Sequence, residues 1–127
     1  MKILIAEDNA ENMNMLARRL RRKGFNVHEV TDGCQAVEAA ATVEPDLILM
    51  DVSMPIMCGL EATKEIRKRE AGVCHTPIIA LTAHAMESDK DRSLKAGCDA
   101  FATKPVDFSA LLEMIMEIRD VRYDDGV

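Results

Sequence analysis

The chain has no tryptophan, one tyrosine and three phenylalanines among its 127 residues. So few aromatic faces leave no platform on which nucleic-acid bases could stack. It has no run of about 18 apolar residues, which excludes a membrane-spanning helix of ordinary length. The apolar stretch Ile3-Leu4-Ile5-Ala6 is too short for a signal peptide and has no cleavage-type end, so a cytoplasmic location is expected. Cys34, Cys58, Cys74 and Cys98 form no C-x-x-C pair, and no histidine stands at zinc spacing. They read as reduced thiols. There is no basic excess either. The net charge of -6 opposes nucleic-acid binding. The one basic cluster, Arg18, Arg19, Arg21, Arg22 and Lys23, reads as a solvated helix end, where cations suit the helix dipole. No repeat, low-complexity segment or linker appears.

What is present is enough for one domain with an ordinary core: 48% hydrophobic and 30% charged residues, with nine methionines expected to fill it. Lys2 to Ala6 reads as a strand. Ala10 to Lys23 is helical, with Met13, Leu16, Ala17 and Leu20 on one stripe and Gly24 as its stop. Val27 to Val30 is a second strand. A second helix, about Cys34 to Ala41, buries Ala36, Val37 and Ala40. Leu47 to Met50 is a strand of unbroken apolar character, as expected where both faces are covered. A helix follows over about Leu60 to Arg69, with Ala62, Ile66 and the Arg69 stem along it. Pro77 to Leu81 is a strand, Ser88 to Ala96 a weakly patterned helix and Ala100 to Thr103 a strand. The last helix runs from Val106 to about Ile118, with Phe108, Leu111, Leu112, Ile115 and Ile118 at helical spacing, ahead of a frayed tail. One domain over residues 1–120 and a short tail over 121–127 are the expected divisions. Strand and helix alternate five times, which specifies a parallel sheet with helices on both faces.

Chemically capable residues follow four of the five strands. Glu7 and Asp8 follow the first, Asp51 the third, Thr82 the fourth and Lys104 the fifth. Open parallel sheets bind ligands outside the carboxyl ends of their strands, so these groups converge where a site is expected. Clustered carboxylates suit a hard divalent cation such as magnesium. A carboxylate can also attack phosphorus to give an aspartyl-phosphate. The charge on the phosphoryl oxygens then needs an ammonium and a hydroxyl donor, which Lys104 and Thr82 supply. Each residue alone has a plainer reading as a cap, a turn or a solvated side chain. The set carries the argument.

The motifs Ile3-Leu4-Ile5-Ala6-Glu7-Asp8-Asn9, Asp46-Leu47-Ile48-Leu49-Met50-Asp51, Met54-Pro55 with Gly59, Ala80-Leu81-Thr82-Ala83, Ala96-Gly97 and Thr103-Lys104-Pro105 resemble the receiver domain of two-component response regulators. The resemblance spans nearly the whole chain. It implies a flavodoxin-like, doubly wound α/β fold with strand order 2-1-3-4-5. It implies that Asp51 accepts a phosphoryl group from a sensor histidine kinase or a histidine phosphotransfer protein, as in a phosphorelay. Magnesium, or manganese in its place, would be held by Asp8, Asp51, the Ser53 backbone carbonyl and Glu7 through a water. Thr82 and Phe101 would be the switch pair, and the Lys104-Pro105 peptide would be cis.

Ser53 and His84 occupy the positions that tune loss of the phosphoryl group in this family. The stretch from Thr82 to Met86 is closest to single-domain regulators and hybrid-kinase receivers. Ala100 stands where transcription-factor receivers commonly carry a second acid, which implies a monomer or weak dimer. The chain ends soon after its last helix, so the expected output is a protein partner on the face of the fourth helix, fifth strand and fifth helix, not DNA. Three other functions compete. A haloacid-dehalogenase-type phosphatase needs a second aspartate where Ser53 stands. A flavodoxin-like cofactor binder needs a phosphate-cradling loop where Glu7 and Asp8 would repel it. A receiver-like scaffold that never takes phosphate does not need an intact Asp51, Thr82 and Lys104.

Overall fold

A computed structural model describes residues 1–83 and 87–125. Five strands alternate with five helices: β1 (Lys2–Ala6), α1 (Ala10–Arg22), β2 (Asn26–Val30), α2 (Gly33–Thr42), β3 (Leu47–Asp51), α3 (Gly59–Glu70), β4 (Ile78–Thr82), α4 (Glu87–Ala96), β5 (Ala100–Thr103) and α5 (Phe108–Asp125). The strands form one parallel sheet in the order β2-β1-β3-β4-β5. Among the described residues, no helix is long and apolar enough to cross a membrane.

Strand alternation divides the core in two. Ile3, Ile5, Leu47, Leu49, Ile79 and Leu81 face α1 and α5, meeting Leu16, Leu20, Leu111 and Ile115. Leu4, Ile48, Met50, Ile78 and Ala80 face the opposite side, meeting Val37, Leu60, Ala62 and Ile66. With both faces covered, β3 and β4 are buried at every position. Local signals start the helices. Asn9 and Asp32 accept backbone N–H groups of Asn12 and Gln35 at 2.9 and 2.8 Å, capping α1 and α2.

The structure departs from the sequence reading in four places. In α2, Ala39 is buried and Ala40 only partly so. In α3, Arg69 lies on the surface beside Glu65 and Glu38, and Arg67 is the inward arginine. The last helix begins at Phe108 because Asp107 caps it, accepting the Ala110 N–H at 3.2 Å, and it continues to Asp125. Of the methionines, only Met13 and Met50 are fully buried among the described residues. Met54, Met57, Met114 and Met116 pack at the margins of the two core layers.

Ile56, in the loop between β3 and α3, holds a left-handed backbone with φ of 69°. That conformation costs a residue with a Cβ about 1–2 kcal/mol, and a β-branched side chain is the least suited to it.

Candidate functional site

The carboxyl ends of β1, β3, β4 and β5 set the site. Asp51 is the last residue of β3 and is 3% exposed. Glu7 follows β1 directly and is 1% exposed, its own N–H bonded to the Val30 carbonyl at 3.1 Å. Asp8 is exposed beside it. Carboxylate oxygens of Glu7, Asp8 and Asp51 all lie within 4.8 Å of one another. The Lys104 ammonium reaches across from the end of β5, 2.8 Å from Glu7 Oε1 and 3.0 Å from Asp51 Oδ2. The Lys104 N–H donates to the Thr82 carbonyl at 2.7 Å, tying the ends of β4 and β5 together. The Lys104-Pro105 peptide is cis.

Thr82, 5% exposed, ends β4 one position past Leu81, the register partner of Asp51. The Ser53 N–H donates to Asp51 Oδ1 at 3.1 Å. Phe101 lies apart from the acidic cluster on β5, half-buried, with the Lys90 ammonium 5.0 Å from its ring centroid. His84 lies outside the described residues. The structure thus brings Glu7, Asp8, Asp51, Ser53, Thr82 and Lys104 to one sheet edge. A cleft of about 460 Å³ opens beside Glu7 and Lys104, lined also by Met15, Pro105 and Val106.

Two contacts of the site escaped the sequence reading. The Asn9 N–H donates to Glu7 Oε2 at 3.4 Å, so Asn9 serves the site as well as capping α1. Gly59, quoted with Met54-Pro55 in the resemblance but given no role there, packs on the acceptor strand. A Cβ at that position would strike the Asp51 carbonyl oxygen. A glycine at the start of a helix, where one has no propensity reason to be, is a local signal of that contact.

Burial in a crowded acidic site fixes the proton inventory. Burial, and then the hydrogen bond and charge of Glu7, push the Asp51 carboxyl up to about 7, although Lys104 works against the rise. Burial would also raise Glu7, but its hydrogen bond with Asp51 and the Lys104 ammonium hold it below the ordinary range. Burial would lower Lys104, yet the two carboxylates raise it. The metal-free pair therefore tends to keep one proton, placed on Asp51.

A pH dependence follows. Between pH 3.8 and about 7 the folded protein holds a proton on Asp51 that the unfolded chain has released, so metal-free stability falls as pH rises through that window. For Asp51 alone the total is on the order of 4 kcal/mol, and the lowered Glu7 offsets part of it. Thermal melting from about pH 5 to about pH 8 should show the decline, excess magnesium should flatten it, and Asp51→Asn should abolish it. Equal slopes for wild type and Asp51→Asn would refute the assignment.

The donor set fits magnesium. With all three carboxylates ionised and one ammonium, two negative charges remain, matching a divalent cation that prefers oxygen ligands.

Known proteins resemble this chain throughout its length. The profile described as the response regulator receiver domain matches residues 3–116. Hybrid signal transduction histidine kinase G of Dictyostelium discoideum is 41% identical over 125 residues, covering 97% of this chain and 3% of that protein. The polar-differentiation response regulator DivK of Brucella ovis is 36% identical over 113 residues, covering 89% of this chain and 91% of DivK. The chain thus spans a small fraction of the hybrid kinase and nearly all of the regulator. Among solved structures, the receiver domain of sensor histidine kinase PA1611 from Pseudomonas aeruginosa, with magnesium coordinated in its active-site cleft, is 40% identical with a TM-score of 0.83. The match covers 91% of this chain and 94% of that one. The receiver domain of Saccharomyces cerevisiae Ssk1, crystallised with the histidine phosphotransfer protein Ypd1, is 33% identical with a TM-score of 0.85, covering 92% and 87%.

Proposed function

The chain belongs to the response regulator receiver domain family, a signalling module of two-component systems, and from that premise we propose that Asp51 is its phosphoryl acceptor. The observation that carries the proposal is the Lys104 ammonium lying between Glu7 and Asp51 at the rim of a three-carboxylate cluster. An Asp51 oxygen attacks the phosphorus of a phosphohistidine. The P–O bond forms as the P–N bond breaks, and the ring nitrogen keeps the electron pair. Lys104 and the Thr82 hydroxyl stabilise the phosphoryl oxygens. Asp8, Asp51, the Ser53 carbonyl and Glu7 through a water would hold magnesium, which would supply positive charge against the transferred group. Manganese, with its similar taste for oxygen ligands, substitutes.

Thr82 and Phe101 form the switch, and the face of α4, β5 and α5 meets the downstream protein. The donor is a sensor histidine kinase or a phosphotransfer protein of the kind that accompanies Ssk1. The chain works in the cytoplasm as a monomer or weak dimer over residues 1–120, and its chemistry is limited to gaining and losing its own phosphoryl group. Ser53, exposed beside Asp51, and His84 set the lifetime of that group.

Intact mass after incubation with magnesium and acetyl phosphate tests the reading. Wild type gains one phosphoryl group, and Asp51→Asn gains none. No gain on wild type, or an equal gain on both, would sink it. Decay of the label after donor removal, compared between wild type and His84→Ala, reads the lifetime in the same samples. An unchanged half-life removes His84 from the account.

A further inference from the structure

Among the described residues, the exposed large apolar side chains are Ile56 at 81%, Val73 at 89% and Leu94 at 50%. The non-glycine residues with positive φ are Glu44, Ile56 and Ala71. Ile56 alone is in both groups. Asparagine or glycine would hold its left-handed turn more easily. Being exposed, the isoleucine recovers almost nothing within the chain for the strain it carries.

Its place in the fold supplies a reason. Residues 52–58 leave β3 directly after Asp51 and come back to it. The Gly59 N–H donates to the Val52 carbonyl at 2.9 Å, and Gly59 packs on the Asp51 carbonyl. Ile56 is three residues from Gly59, so it stands within about 11 Å of that anchor by chain reach. It lies on the rim at the carboxyl ends of the strands, where Asp51 opens. Val73 precedes β4 and so sits at the other edge of the sheet.

We propose that Ile56 is an apolar anchor for the phosphohistidine-bearing protein that donates to Asp51. The proposal rests on Asp51 being the acceptor. Such a donor must bring its phosphorus to about 3–3.5 Å from an Asp51 oxygen. Asp51 is at the floor of the site, 3% exposed, so the donor surface has to settle on the surrounding rim. A standard interface covers about 800 Å² per partner, a disc of roughly 16 Å radius. A disc centred on Asp51 includes Ile56 and excludes the far edge of the sheet. Covering the isoleucine removes apolar surface from water that the free domain leaves exposed. A small phosphodonor reaches Asp51 without touching the rim.

The test compares two donors on the full chain, acetyl phosphate and phosphorylated Ypd1, each with magnesium. Ile56→Asn should take the phosphoryl group from acetyl phosphate at the wild-type rate and melt at or above the wild-type temperature. Its transfer from phospho-Ypd1 should fall about tenfold. Ile56→Leu, which keeps the apolar bulk, should restore transfer to within about threefold of wild type. Undiminished transfer from phospho-Ypd1 to Ile56→Asn would overturn the proposal. So would equal slowing with both donors, which would mean that the loop acts on Asp51 itself. Failure of both donors on wild type would overturn the acceptor reading and this proposal with it.

Discussion

Replacing Lys104 with methionine should slow phosphorylation of Asp51 by acetyl phosphate about a hundredfold or more, the usual cost of removing one preorganised charge donor. Methionine matches the apolar stem and lacks the ammonium. The Lys104 side chain is only 22% exposed and its ammonium touches both buried carboxylates, so bulk water cannot replace it. The same change should destabilise the metal-free fold at about pH 8 by roughly 2–3 kcal/mol, because Glu7 and Asp51 stay buried without their cation. Asp51→Asn acts in the opposite sense on metal-free stability, since it removes one of the crowded charges. Lys104→Arg keeps the charge but spreads it over a planar fork, so it should recover stability better than rate. Labelling of Lys104→Met within about threefold of wild type would locate the charge stabilisation elsewhere.

The sheet and the gathering of the candidate residues at its strand ends were legible because both are written locally. The unbroken apolar runs Leu47 to Met50 and Ile78 to Leu81 announce strands covered on both faces, and their ends point to Asp51 and Thr82. Neither the burial of each group nor its charge partners could be read in the same way. Nothing in the order of residues shows that Lys104 holds Glu7 as well as facing Asp51, because that contact spans 97 positions. The strained backbone at Ile56 was equally hidden, since the sequence there offers no glycine or asparagine to mark it. In α3 the periodic reading selected Arg69 as the arginine whose stem packs. The helix in fact turns Arg67 inward, where partners from two other segments wait for it.

Those partners make Arg67→Ala the largest stability loss expected. The Arg67 guanidinium donates to the Gly97 carbonyl at 2.9 Å, to Glu70 and the Thr76 carbonyl at 2.8 Å each, and to Asp99 at 2.9 Å. It thereby joins α3, the link into β4 and the link between α4 and β5. Gly97, with φ of 113°, lies so close that a Cβ there would sit 2.8 Å from Arg67 Cγ. Alanine would leave the Glu70 carboxylate, whose side chain is 8% exposed, with the Thr76 N–H but without its cation, and two carbonyls without this donor. The cost should be about 3 kcal/mol, or roughly 10–15 °C in melting temperature for a domain of this size. Lysine should recover little, because one ammonium cannot reach all four acceptors.

The pH dependence identifies the cause. Burial would raise Glu70, but the Thr76 N–H and Arg67 hold it below the usual carboxylate range. Its contribution is therefore present above pH 4.5 and is lost as pH falls through its lowered folded value. The gap between wild type and Arg67→Ala should narrow in acid, as seen by thermal melting. A gap that is constant with pH would assign the loss to packing of the Arg67 stem instead. The network lies at the amino ends of β4 and β5, opposite the acidic cluster. Arg67→Ala should accordingly still take a phosphoryl group from acetyl phosphate at temperatures where it remains folded.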